Sequence, residues 1–371
     1  MPGHLRWVAA CAVALALMTA VAPTAQAANT PSFLDHLAGN PSLSVGTSPS
    51  AGPGANDQNP YGVAVVPPDF PSGGLLSPGD ILVSNFNNSA NVQGTGTTIV
   101  AVSSSGQQST FFAAPAGAFP VGLTTALLAL RSGLVVVGNT PTDSTGVAQQ
   151  GSLLFIDPQG NLVETISDPT LLDGPWDMTA DQSRPHDPIL YVSNVLSGTV
   201  TRVNLHVDDV GGAPLPIVES LTQIGSGFAH RTDPSALVVG PTGLVLEGDN
   251  LYIADTGNNR IQVLNGVQST LGDLGAGATV VSGAPLQGPL ALAETPIGTL
   301  VASNGDAVNP TSTTNLVVEI NPRTKSFVAT RQLDTGPPGG IFGVFVATVA
   351  GNPSLIYAND NRNTVNVIPH S

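Results

Sequence analysis

The residues able to do chemistry in this 371-residue chain are few and regularly placed. Six short apolar segments each end in a small residue followed by Asn or Asp, at Asn85, Asn139, Asn194, Asp255, Asn304 and Asn359. Successive positions lie 54, 55, 61, 49 and 55 residues apart. Such side chains have two uses. They accept hydrogen bonds from backbone N–H groups and so open turns; gathered together, they offer a ring of oxygens to a ligand. Asp360 directly follows Asn359, and further carboxylates accompany the six at Asp177, Asp233 and Asp306. Carboxylate and carbonyl oxygens hold hard cations such as Ca²⁺ or Mg²⁺, which makes these three the candidate metal ligands. His230-Arg231-Thr232-Asp233 is the densest polar cluster. An imidazole titrates near neutrality, so His230 is the candidate general base, and Arg231 is a candidate ligand contact.

Other chemistry is missing from the pattern. The chain has no G-x-S-x-G elbow, no H-E-x-x-H and no G-x-x-x-x-G-K, and its single cysteine is Cys11. Acidic residues outnumber basic ones 25 to 10, giving a net charge of −15. That balance repels a phosphate backbone, and no nucleic-acid partner is expected. Aromatic residues make up only 5%.

The elements that must position these residues follow from composition and periodicity. With 42 Gly, 32 Pro and only 9% charged residues, the chain suits short strands joined by turns rather than helices. Arg6, the apolar run Trp7 to Ala22 and Ala25-Gln26-Ala27 read as an export signal over residues 1–27. A secreted, extracellular or periplasmic protein without a membrane span is expected. Upstream of each Asx position lies a turn and strand, in five cases of the form Pro-x-small-apolar: Pro60-Tyr61-Gly62, Pro120-Val121-Gly122, Pro175-Trp176-Asp177, Pro241-Thr242-Gly243 and Pro289-Leu290-Ala291. The sixth, Ile341-Phe342-Gly343, lacks the proline. A third strand follows each Asx, and a fourth is clearest at Leu162 to Ile166 and Ser326 to Thr330. Four strands in six units predict an all-β, six-bladed β-propeller with four-stranded antiparallel blades over residues 60–371. The sixth unit stops after its third strand. Residues 28–59 hold one short strand candidate, Leu43 to Val45, which is expected to close the ring.

The fourth unit is the most specific. Leu251-Tyr252-Ile253-Ala254-Asp255-Thr256-Gly257-Asn258-Asn259-Arg260-Ile261-Gln262-Val263-Leu264, preceded by Gly240-Pro241-Thr242-Gly243-Leu244, resembles the NHL repeat. The other five units keep only the strand-small-Asx skeleton, and the whole is similar to secreted bacterial NHL-type propellers. The resemblance implies that the six Asx residues and the Pro-x-Gly turns share one open face, the usual ligand side. NHL-type propellers include a lyase with three zinc-bound histidines. Strand placement sends His186 and His206 to the opposite face, and His36 and His370 lie near the termini, so that site is not expected here. The reading is a monomeric secreted propeller that binds a small ligand, an ion or a protein partner on its Asx-lined face. The alternative is a metal-assisted lyase or hydrolase, similar to streptogramin lyase, using His230.

Overall fold

A computed structural model describes residues 31–115, 117, 119–305 and 315–371. Among them the backbone forms six four-stranded antiparallel sheets. The inner strands are Gln58–Val65, Leu123–Ala129, Pro175–Asp181, Pro241–Glu247, Pro289–Glu294 and Ile341–Val349. Each lies against the inner strands of both neighbouring blades, so the six close a ring about a central axis. The second strands are Ile81–Asn87, Val135–Asn139, Ile189–Asn194, Asn250–Asp255, Leu300–Asn304 and Asn352–Asn359. The expected closure is present: Leu43–Gly46 is the outer strand of blade six, with Leu43 opposite Val367 and Gly46 opposite Thr364.

The apolar runs follow from this stacking. Six hydrophobic clusters lie one between each pair of successive blades, including the seam between blade six and blade one. A middle strand is therefore covered on both faces. This is why Val135–Asn139 and Ser152–Ile156 are buried throughout and do not alternate.

A register shift at the start of every inner strand explains the small residues in both motifs. Blade one slips between Pro60 and Gly62, blade three between Pro175 and Asp177, and the other four near the same level. The Ser before the Asx fills this bulge. Ser84 Oγ accepts from Gly62 N–H and donates to Thr124 O of blade two; Ser303 Oγ accepts from Ala291 N–H and donates to Phe342 O of blade six. Glycine sits on the bulge because the next blade is close. A Cβ on Gly62 would stand 2.9 Å from Thr125 O, and one on Gly243 would stand 2.5 Å from Leu292 N.

Two side chains not singled out in the sequence anchor the closing segment. Glu319 is fully buried and accepts hydrogen bonds from Ser32 Oγ, Phe33 N, Leu34 N and Thr299 Oγ1. Arg331 donates to the carbonyls of Leu34, Leu37 and Ala38.

Three details differ from the sequence reading. In blade two the residue paired with the Asx is Leu123, not Pro120, because two extra residues are accommodated before Leu127. His206, which the third-strand segment Thr199 to Val203 would leave beyond the strand, lies within it because that strand runs on to Val210. Between blades three and four an additional hairpin, Arg231–Asp233 with Leu237–Val239, stands outside the four-stranded pattern.

Candidate functional site

The six Asx residues do gather at one end of the ring, each opposite the start of its inner strand: Asn85 faces Pro60, Asn194 faces Pro175 and Asp255 faces Pro241. All six are buried. Their bonds reach further than a local turn. Asn139 Oδ1 accepts from Gly122 N–H, and Asn304 Oδ1 accepts from Gln287 N–H, both in the lead-in to the same blade's inner strand. Asn85 Nδ2 donates to Thr47 O and Asn194 Nδ2 to Leu171 O. Asp255 receives Arg260 Nε at 2.6 Å and Asn258 Nδ2 on both oxygens. A buried amide without partners is costly, so these bonds fix the loop at the face as much as they shape it.

A second inter-blade tie escaped the sequence reading. Asn259 and Asn363 are left-handed, with φ of 51° and 49°. Each turns its side-chain oxygen to the next blade: Asn259 Oδ1 accepts from Gly288 N–H, and Asn363 Oδ1 from Asn59 N–H. Asn tolerates that backbone region better than other non-glycine residues, which gives these two positions a recognisable signature.

The bulge directs the middle residue of each Pro-x-Gly turn inward, and three of these are aromatic. Tyr61 stacks on Phe342 with ring centroids 3.9 Å apart and on Phe86 at 4.3 Å; Trp176 meets Phe86 edge-on at 5.4 Å and lies 6.1 Å from Tyr61. Blades one and three are not neighbours, so Tyr61 and Trp176 meet over the central opening. The extra hairpin covers this cluster, packing Leu237 and Val238 against it. Gln93 of blade one donates to Ser235 O of the hairpin, so the cap spans the face.

A cavity of about 140 Å³ is enclosed between this aromatic floor and the hairpin, with Gln93, Ser235, Asp360 and Asn361 among its polar lining groups. Below the aromatic cluster lies a second cavity of about 180 Å³, the central channel, lined by the inner strands.

Sequence similarity bears on blade four. The NHL-repeat profile matches residues 239–264, the inner strand, second strand and most of the third. This chain is an NHL-like six-bladed propeller. No curated protein matches the NHL-like propeller in sequence. Solved structures match its shape. Luciferin-regenerating enzyme is 10% identical, with 87% of this chain and 91% of that one covered and a TM-score of 0.52. A protein of unknown function from Bacteroides caccae is 13% identical, with 72% and 81% covered and a TM-score of 0.47. At 10% identity the likeness to luciferin-regenerating enzyme concerns the fold alone.

The carboxylates expected to act at the face of this NHL-like propeller occupy separate places. Asp177 takes the position where other blades have Gly or Ala, faces the central channel and reaches the next blade, accepting from Leu244 N–H at 3.2 Å and from Met178 N–H at 2.8 Å. Burial pushes its pKa up to about 7, against the lowering effect of those two amides. Asp233 belongs to the hairpin. Burial raises it, but the Ser235 and Ala236 amides and the Arg231 guanidinium outweigh that and hold its pKa below the usual carboxylate value. Asp306 lies outside the described residues. Among the described residues no three or more His, Cys, Asp or Glu are grouped to hold a metal.

His230 and Arg231 are both exposed at the base of the hairpin. His230 Nδ1 is 3.0 Å from Phe228 O, and Arg231 is paired with Asp233 at 3.1 Å. Their visible work is to shape the cap. Of the aromatic floor only Trp176 stood out in the sequence, as an aromatic at the channel end of blade three; Tyr61, Phe342, Gln93 and Asn361 were not singled out. The signal was there in part, because Tyr61, Trp176 and Phe342 hold equivalent places in three copies of the same turn.

Proposed function

We propose that this propeller is a binding protein that holds a small, partly apolar molecule in the capped cavity at its Asx-lined face. The observation that carries the reading is the aromatic floor of Tyr61, Trp176 and Phe342 beneath a polar rim of Gln93, Asp360 and Asn361. Small-molecule sites combine an apolar enclosure with a few placed polar groups, and this cavity has that composition. The Asx residues act behind it, holding the loops that form the rim. The N-terminal pattern supports export, which places the ligand outside the cytoplasm.

Trp176 provides the test. The chain has two tryptophans, and the other, Trp7, falls in the export signal. In a protein beginning at Ala28, emission therefore reports the cavity floor alone. Titration with benzamide, which pairs one ring with one amide, should give a saturable change in emission. Ala236→Phe, which fills the cavity from the hairpin side, should abolish it. An Ala236→Phe protein that folds and titrates like the parent would rule out this cavity.

A further inference from the structure

A large cavity lies away from the Asx-lined face. A cleft of about 590 Å³ opens where the inner strands of blades six, one and two end, among Val65, Val66, Pro67, Pro78, Ala129 and Ala347. Its lining contains no charged side chain; Gln182 and Thr348 supply its polar side-chain groups. That volume lies within the usual range of small-molecule sites.

The cleft adjoins the central channel: Leu128 and Phe345 line both cavities and stand between them. The channel differs in chemistry: it carries two carboxyl groups, Asp177 and Glu294, and no Lys, Arg or His. At its far end the Tyr61–Phe86–Trp176–Phe342 cluster shuts it off from the Asx-lined face. Glu294 is exposed at the end of its inner strand, with Glu247 and Arg323 nearby. Asp177 is half-buried on the channel wall, where two backbone amides donate to it and none of the described residues gives it a cation. A carboxylate in such a place gains from any donor that can reach it, and most from a positively charged one.

We infer that the cleft and channel together form a second ligand site, entered from the face opposite the Asx ring, for an amphiphile with a primary amine head and an apolar body. The apolar body lies in the cleft between Pro67, Ala129 and Ala347. The ammonium group passes Leu128 and Phe345 and donates to Asp177, with Glu294 as the second acceptor on the channel wall. An anionic head is opposed by both carboxyl groups. A hydroxyl head donates one uncharged hydrogen bond and gains less. This site is independent of the capped cavity, from which the aromatic cluster separates it.

Three probes with one tail decide the matter: octylamine, octanol and octanoate, titrated calorimetrically at pH 8 into the protein beginning at Ala28. Octylamine should bind one per chain and at least about tenfold more tightly than octanol, the margin of a hydrogen bond to a charged group over a neutral one; octanoate should bind most weakly. Asp177→Asn should erase the preference for amine over alcohol while leaving octanol affinity unchanged. Glu294→Gln should reduce the preference in part, which keeps the test valid if Asp177→Asn folds poorly. Ala347→Trp, which narrows the cleft, should weaken all three. The inference is overturned if octylamine binds no tighter than octanol, if the preference survives both carboxyl substitutions, or if Ala347→Trp leaves all three affinities unchanged.

Discussion

Asp177 shows how one residue can depart from a repeat and acquire a different physical role. The equivalent positions are Gly62, Gly243, Ala291 and Gly343, small because the neighbouring inner strand comes close. At Asp177 a carboxyl group is inserted at that level and bonds to Leu244 N–H of the neighbour. Its pKa rises from 3.8 to about 7 through burial. The native protein thus binds a proton that the unfolded chain has already lost between those values. Stability from this group is complete below about pH 4, declines as pH rises, and is lost above about pH 7. Asp177→Asn removes that dependence. Set against one lost hydrogen bond, it should stabilise the protein by about 2 kcal/mol at pH 8 and give no gain at pH 4. Denaturant unfolding at the two pH values measures this; equal effects at both would show that Asp177 is not the titrating group. Glu319 is the opposite case, a buried carboxylate with four donors. Glu319→Ala should cost about 3 kcal/mol by leaving Phe33 N–H and Leu34 N–H without acceptors. It should also make residues 31–46 the first site of proteolytic cleavage. Sequence made Asp177 conspicuous because it broke a motif. Glu319 sits in an ordinary strand, and three of its four partners lie more than 280 residues away.

The strands show why this fold was largely readable from its repeat. A six-fold spacing, a small residue at the bulge and an Asx at the strand end are each local consequences of packing one blade on the next. Both glycine and serine solve the crowding, which is why the motif varied in chemistry but not in size. Gly243→Val should therefore cost more than about 2 kcal/mol, because its branched side chain has Ala291 and Leu292 of blade five in the way. Gly211→Val, at the open tip of the blade-three hairpin where no atom is near, should cost less, the remainder being backbone strain at its φ of 67°. Thermal unfolding of the two variants separates crowding from strain. The hairpin of residues 231–239 was not legible because it obeys no repeat. Its strands are three residues long, and Leu237 holds a left-handed φ of 65° that no sequence rule assigns to leucine.

At the scale of the whole molecule, ring closure joins the two ends of the described chain. Four residue pairs between Leu43–Gly46 and Thr364–Pro369 complete blade six, and Phe33 and Leu34 fill the seam between blades five and six. A chain beginning at Thr47 loses that outer strand and the Glu319 and Arg331 contacts together. It should unfold at lower denaturant. Amide exchange should rise first at Thr364–Pro369, whose strand becomes an exposed edge. Uniform protection across all six blades would mean that closure does not hold the ring. The same scale decides the candidate sites. Tyr61, Trp176 and Phe342 are more than 110 residues apart in sequence from one to the next, and only the ring brings them over one axis.

The number of blades, the order of strands within each and the segment that closes the ring were legible in the sequence. These follow from short-range patterns, because every blade meets its neighbours through the same few positions. That the Asx side chains are turned into the fold, that an unrepeated hairpin roofs the axis, and that an apolar cleft adjoins the channel at its other end came from the packing of the blades. Those features arise where side chains from distant blades converge, and convergence across an axis leaves no periodic trace along the chain.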